Sequence, residues 1–524
     1  MRQELTIKQA SKWASEYLRR NVTPSNISYL IQYGRINRIT KNGNTLVSKE
    51  DLVKYYDSYF SKKEIEWVKK LGEDLNWSLS FDYLKEAERT KHVHRLHPYK
   101  GKFIPQLVEY FLDDHVDDFK KEVYFKKGDI VLDPFCGSGT TLVQANELGM
   151  HAVGIDISSF NVLISKVKTS KYNLVDLYKE VRRITLALRQ FISDSSTVEF
   201  EAQLKEALSD FNNKYFPSPE FRYRVRSGEI NEKEYGLEKE REFKPVYQTL
   251  VNKYGIELTP KDNDTFLDKW YIKHVRREID FVYNLIEQIQ DLNIRNVLIV
   301  ILSRAIRSCR ATTHFDLVTL KEPILSTYYC HKHGKICKPL FSIVSWWLRY
   351  SQDTIERLAQ FDKLRTETCQ ICLTGDSRTI NIVEELEKDS PFLTQLVKNQ
   401  RIKGIFSSPP YVGLIDYHDQ HAYAYDLFHF ERKDQLEIGA LSNGQSTEAR
   451  ESYVQAISEV LGNCKNYLAD DYDVFLVAND KYNLYPTIAE RAKMLIVNKH
   501  RRPVLNRTER DKGAYSETIF HLKG

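Results

Sequence analysis

The sequence predicts an α/β protein built on a doubly wound parallel sheet, with a large helical insertion and a small helix-rich unit at the N-terminus. Three observations carry this. Short apolar runs followed by helical patterns recur on both sides of the chain's middle, an alternation that favours parallel strands covered on both faces. Between about residues 171 and 365 long stretches of helical periodicity replace it, too long for a loop. Before residue 60 the apolar spacing is that of short helices around a ribbon.

At 524 residues the chain exceeds one ordinary hydrophobic core, so two or three domains are expected. With 77 basic against 72 acidic residues, the formal charge of +5 permits nucleic acid contact without requiring it. No run approaches the ~20 apolar residues of a membrane span, and the opening MRQELTIKQASKW carries charges where a secretory signal needs an apolar stretch. A cytoplasmic protein with no membrane partner is therefore expected. Seven dispersed cysteines fit reduced thiols rather than a disulfide framework.

In residues 1–60, Ile7, Ala10, Trp13, Ala14 and Leu18 recur at helical spacing, and Thr23-Pro24 opens a second helix through Ile27, Leu30 and Ile31 that stops at Gly34. Asn42-Gly43 turns a short ribbon between Ile39 and Val47. Ser48 with Asp51 reads as a capping box for a last helix through Leu52 and Tyr55. This layout resembles the winged helix-turn-helix of MerR-like and excisionase-like DNA readers. Residues 61–90 read as a helical linker. The sheet domain is then split into 91–170 and 366–524 around the insertion at 171–365. Its strands are expected at 129–133, 151–155, 371–375, 402–407 and 473–478, with an antiparallel edge pair around Met494–Val497 and Glu517–Leu522.

Two strand ends carry chemistry. Asp133-Pro134-Phe135-Cys136-Gly137-Ser138-Gly139-Thr140 is a strand end, a glycine-rich turn and a helix start in succession. Gly137 and Gly139 let backbone approach a ligand, and Thr140 opens a helix whose amides face it. The next strand ends in Asp156, where nucleotide folds bind ribose hydroxyls. The turn lacks the Gly-Lys-Ser/Thr ending of a triphosphate loop, which leaves a dinucleotide enzyme as the rival. Further on, Ser407-Ser408-Pro409-Pro410-Tyr411 closes another strand. Two prolines cannot continue a ladder, so they form a rigid turn whose carbonyls are available to a ligand.

These segments resemble the DNA amino-methyltransferases, which implies a Rossmann-like methyltransferase sheet. Asp133 to Thr140 looks like the family's motif I, around the methionine end of S-adenosyl-L-methionine. His97-Pro98-Tyr99, with Gly101, Lys102, Phe103, Ile104 and Pro105, is similar to motif X, which packs against the same part. Gly375-Asp376-Ser377-Arg378 resembles motif III, whose aspartate accepts from the adenine amino group. Ser408-Pro409-Pro410-Tyr411 resembles motif IV in its serine form. The resemblance implies a cofactor set of Tyr99, Lys102, Phe103, Asp133, Pro134, Phe135, Gly137, Gly139, Thr140, Asp156 and Asp376. It implies a catalytic set of Ser408, Pro409, Pro410 and Tyr411, with Tyr411 stacked on an extruded base.

The activity implied is methylation of the exocyclic N4 of cytosine in double-stranded DNA within a restriction-modification system, because serine at position 408 is commoner among N4-cytosine members. The alternatives are an N6-adenine enzyme, an RNA methyltransferase or a non-catalytic DNA-binding regulator. A separate endonuclease acting on the same site is the implied counterpart. Cytosine C5 chemistry needs a cysteine after a proline, and none of the seven cysteines follows one. Cys136 is therefore expected to be a small packed residue. Target recognition is assigned to the insertion, with Arg276, Arg277, Arg304, Arg307 and Arg310 and the basic aromatic stretch Tyr328 to Lys335 as candidates. Cys330, His331, His333 and Cys337, with Cys369 and Cys372, have the spacing of metal ligands. Cys372, however, lies in a strand and is expected in the core, so no metal is expected.

Overall fold

The computed structural model describes residues 3–18, 22–32, 36–41, 44–72, 75–81, 84, 86–99, 101–117, 119–193, 195–259, 265–314, 320–504 and 514–524. The chain divides into two compact units, one of residues 1–68, 181–288 and 305–349 and one of 69–180, 289–304 and 350–524. This division differs from the single 171–365 block expected. Residues 171–180, 289–304 and 350–365 group with the sheet. Among the described residues no helix is long and apolar enough to cross a membrane.

The sheet unit holds strands β1 (Ile130–Asp133), β2 (His151–Asp156), β3 (Gln370–Thr374), β4 (Ile402–Ser407), β5 (Leu468–Ala478), β6 (Leu495–Pro503) and β7 (Ser516–Lys523). Their order is β6-β7-β5-β4-β1-β2-β3, parallel throughout except for β7, which is antiparallel to both neighbours. Side chains alternate with period two. Ile130, Leu132, Ile405, Val474 and Leu476 enter one apolar layer, and Val131, Phe406, Phe475 and Val477 enter the layer on the other face. Burial on both faces explains why these strands read as continuous apolar runs. The sequence reading placed all seven strands, although β5 begins at Leu468 and β6 runs on to Pro503.

In the other unit, helices Ile7–Tyr17 and Pro24–Gln32 precede strands Ile39–Lys41 and Asn44–Ser48, and helix Lys49–Leu71 follows. A short strand, Glu4–Thr6, pairs with Asn44–Ser48 as well. Ala10, Ala14, Ile27, Leu30, Val47 and Leu52 form its small core. Gly34, Arg35 and the Asn42-Gly43 turn lie outside the described residues. The capping box expected of Ser48 and Asp51 does not form. The Ser48 hydroxyl is buried without a hydrogen-bond partner, and Asp51 accepts from Asn37 at 3.1 Å. A capping box forms instead at Thr6 and Gln9. Helices Thr197–Tyr215, Glu232–Tyr254 and Lys273–Glu287 make up much of the rest, with a two-stranded hairpin of Tyr328–Cys330 and Lys335–Cys337.

Glycines in the sheet unit make its packing testable. A Cβ on Gly404 in β4 would lie 2.1 Å from the Asp473 carbonyl oxygen and 3.0 Å from the Phe125 ring. Gly462, exposed in helix Thr447–Lys465, would meet nothing within 4 Å. Gly404→Ala should therefore cost ~3 kcal/mol or more or abolish soluble expression. Gly462→Ala should stabilise by ~0.5–1 kcal/mol. Denaturant unfolding of both variants checks the pair.

Candidate active site

The strand order reverses beside β1, whose neighbours are β2 on one side and β4 on the other, and ligands in such sheets bind outside the carboxyl ends at that point. A cleft of about 860 Å³, counted to its open mouth, lies there. Of the predicted residues it is lined by Tyr99, Lys102, Phe103, Pro134, Phe135, Gly137, Thr140, Asp156, Asp376, Ser408 and Pro410. Asp133, Gly139, Pro409 and Tyr411 do not line it. Segments that stand up to about 300 residues apart in the chain thus share one wall.

The turn after β1 shows why its glycines are needed. Gly137 has φ +51, and a Cβ on it would sit 2.9–3.1 Å from the Tyr99 ring. Only a glycine lets Tyr99 close this side of the cleft. Gly139 has φ +75 at the N-cap of helix Thr140–Glu147 and packs against Ser165, so its role is in shaping the turn. Cys136 is 5% exposed and its thiol lies against Gly154, as a small packed residue should.

Asp156 accepts the Gly137 amide at 2.8 Å on one oxygen, and the Ser158 amide at 2.8 Å and the Asn161 side chain at 3.1 Å on the other. Burial nevertheless raises its pKa. Lys102 donates to the His94 carbonyl at 2.7 Å, and burial, with Arg95 and Arg357 nearby, lowers its pKa to about 8. Asp376 is engaged by its own neighbour: Arg378 reaches it through Nε at 2.9 Å and Nη2 at 2.6 Å. Against the desolvation of a half-buried site, those bonds hold the carboxyl below its ordinary range.

The second turn is joined to the first from beneath. Ser407 Oγ donates to Asp133 Oδ1 at 2.5 Å, and both residues are fully buried. Ser408 Oγ donates to the Val477 carbonyl at 3.1 Å in β5. Tyr411 donates to Glu517 at 3.0 Å and opens onto a neighbouring cavity of about 1240 Å³, also lined by Asn479, Tyr482 and Tyr515. The Ser408–Tyr411 turn therefore stands between two concavities of the same unit.

Sequence reasoning missed Asn161, Tyr417 and Glu437 in the cleft. Glu437 accepts the backbone amides of Tyr417 at 3.2 Å and His418 at 2.8 Å, and Tyr417 stacks on Tyr99 with centroids 5.8 Å apart. Their segment carries no periodicity or motif. Only Ser158, as a helix N-cap bonding the Asn161 amide, gave a readable local signal.

Most arginines proposed to meet a ligand are already committed. Arg304 is 5% exposed and pairs with Asp353 and Thr354, and Arg310 is buried with its Nε on the Arg307 carbonyl. Arg276 pairs with Asp280 at 3.1 Å. Arg277 is largely exposed, with Glu257 3.9 Å away. A buried guanidinium must be paired, so Arg304 and Arg310 are structural.

Asp133 makes the site's buried chemistry measurable. Desolvation raises its pKa from 3.8 to about 6 despite the bonds from Ser407 and Phe135. The folded state therefore favours the protonated form. The stability this confers is complete below pH 4 and is lost as pH rises through 6, a change of up to about 3 kcal/mol. Unfolding free energies of the wild type should fall relative to Asp133→Asn across that window. A constant difference from pH 4 to 7 would show that Asp133 does not titrate this way.

Residues 5–167 match the DNA methylase family. The chain is 45% identical over 522 residues to the type II methyltransferase M.MjaII of Methanocaldococcus jannaschii, covering 99% of this chain and 96% of that protein. It is 34% identical over 105 residues to the type II methyltransferase M.BsoBI of Geobacillus stearothermophilus, 19% of each chain. A tRNA (guanine(10)-N2)-dimethyltransferase of Methanocaldococcus jannaschii is 33% identical over 78 residues, 15% of this chain and 22% of that one. With a near full-length relative of that identity, and a glycine-lined cleft at the switch point of the sheet, the chain belongs to the type II DNA methyltransferases, S-adenosylmethionine-dependent enzymes of restriction-modification.

Proposed function

We propose that the chain methylates the exocyclic N4 of cytosine at a specific site in duplex DNA. The observation that carries this reading is the setting of Ser408 on the cleft wall, with its hydroxyl proton directed to the Val477 carbonyl. An exocyclic amine is a poor nucleophile because its lone pair is delocalised into the ring. A hydroxyl whose proton is already engaged acts toward the cleft only as an acceptor. Ser408 Oγ and the Pro409 carbonyl then take the two amino hydrogens and turn the nitrogen lone pair outward. When bound, S-adenosylmethionine supplies a methyl group made electrophilic by its sulfonium. Positioning of the reactants is the main contribution of the protein, and no protein nucleophile takes part.

The cofactor fits the residues present. Tyr99, brought close by the bare Gly137, offers an aromatic face to a sulfonium cation, and Phe103 lines the same cleft. Asp156 is the acceptor for ribose hydroxyls. Asp376 is assigned to the adenine edge, although its salt bridge with Arg378 leaves less acceptor capacity than the resemblance implies. Across the turn, the cavity lined by Tyr411, Tyr482 and Tyr515 suits a base rotated out of the duplex. The N-terminal helices and ribbon, with exposed groups such as Arg277, are assigned to reading the target, and a separate endonuclease is the counterpart.

Serine at position 408 favours cytosine over adenine. Incubation with labelled cofactor and either duplex DNA or structured RNA, followed by nucleoside chromatography, should yield N4-methylcytosine. N6-methyladenine would transfer the assignment to the adenine reading, and label confined to RNA would overturn the proposed substrate. Ser408→Ala should lower kcat by ~10²-fold, the loss usual for one transition-state hydrogen bond, with cofactor affinity within a few-fold. Tyr411→Phe, which keeps the ring, should stay near wild-type activity, whereas Tyr411→Ala should lose methyl transfer while still binding cofactor. Equal activity of the two Tyr411 variants would remove the stacking role.

A further inference from the structure

We propose that His314, Cys330, His333 and Cys337 form a tetrahedral site for a zinc ion that fixes the Tyr328–Cys337 hairpin. One donor atom from each of the four residues lies within 4.8 Å of the others. Cys330 Sγ is 3.8 Å from His314 Nδ1 and 3.7 Å from His333 Nδ1, and His333 Nδ1 is 3.4 Å from Cys337 Sγ. With zinc bonds of ~2.3 Å to sulfur and ~2.0–2.1 Å to nitrogen, the edges of a tetrahedron span roughly 3.4–3.8 Å. These three separations match edges of such a tetrahedron, and the remaining donor pairs lie within 4.8 Å.

The hairpin explains how such a set arises. In the register Tyr328↔Cys337 and Cys330↔Lys335, the side chains of Tyr328, Cys330 and Cys337 share one face. His333 sits in the turn, held by its amide bond to the Cys330 carbonyl at 3.1 Å, while Gly334 donates to the same carbonyl at 2.7 Å with φ +64. The backbone of the hairpin is bonded to helices of the same unit. Asn212 bonds both the amide and the carbonyl of Ile336, and Glu240 accepts the Tyr329 amide. His314 arrives from an earlier segment, its backbone amide bonded to the Tyr328 hydroxyl at 3.1 Å.

The bland alternative is a small apolar cluster, since Tyr328, Cys330 and Cys337 pack with Ile324. Apolar packing accounts for the burial of Tyr328 beside Ile324, but not for the convergence of two imidazoles on the two thiols. Two thiols and two imidazoles converging in one place are instead the soft donor set of a structural zinc site, with four protein ligands and no open position. The neighbouring candidates separate cleanly. His331 is exposed, its Nδ1 3.4 Å from Glu232. Cys372 is buried in β3, and Cys369 lies beside Ser390 in the sheet unit. The sequence expectation of no metal rested on grouping those cysteines with the hairpin.

The test uses the full-length chain without a polyhistidine tag. Elemental analysis should give one zinc per chain, released together with two reactive thiols on mercurial titration. Chain produced with cobalt should show the intense visible bands of a tetrahedral ion and a thiolate-to-cobalt charge-transfer band. Cys330→Ser with Cys337→Ser should lose the metal, while His331→Ala and Cys369→Ser keep it. The proposal is overturned by metal-free wild-type protein with no cobalt spectrum, by zinc retained in the double variant, or by a Cys330–Cys337 disulfide in the native chain. The cobalt spectrum is read on wild-type protein and does not depend on the variants folding. Metal content is also independent of which base is methylated.

Discussion

The buried hydrogen bond from Ser407 to Asp133 ties the end of β4 to the end of β1, and both loops of the cleft start from that bond. Next to Ser407 stands Ser408, and next to Asp133 begins the glycine turn. Neither loop can shift along its strand without breaking a bond between two groups that have no access to water, where an unpaired partner is costly. Thr141 adds a second tie, its hydroxyl donating to the Phe406 carbonyl at 3.2 Å. These bonds fix the ends of the two strands from which the loops of the cleft begin.

Above this floor the cleft depends on close approach. Gly137 admits the Tyr99 ring, Tyr99 stacks on Tyr417, and Asp156 collects the amides of Gly137 and Ser158. The wall is therefore made of contacts between backbone and aromatic faces, which leaves carboxylate and hydroxyl edges for polar parts of a ligand. The two concavities lie on either side of the Ser408–Tyr411 turn.

The other unit follows a different logic. Its arginines and histidines looked like recognition groups because charge clusters on helices draw attention in a sequence. In the structure Arg276 of that set pairs with Asp280, and Arg222, outside it, pairs with Glu232 and donates to the carbonyls of His331 and Lys332. These bonds fix the ends and turns of the unit, while its helices pack on buried side chains such as Phe200, Leu204, Phe243 and Tyr247.

By itself the sequence determined the seven strands, the two chemistry-bearing turns and the residues on them. These are local matters: apolar runs, glycines where backbone approaches a neighbour, and prolines where a ladder must stop. Tertiary structure decided what depends on partners distant in the chain. It placed Glu437 and Tyr417 in the cleft, gave Asp376 to Arg378, turned Tyr411 toward Glu517, buried Arg304, and brought His314 to the Cys330–Cys337 hairpin. Side-chain pairing across hundreds of residues leaves no period in a single sequence, because it is fixed by which surfaces pack and not by the spacing along the chain.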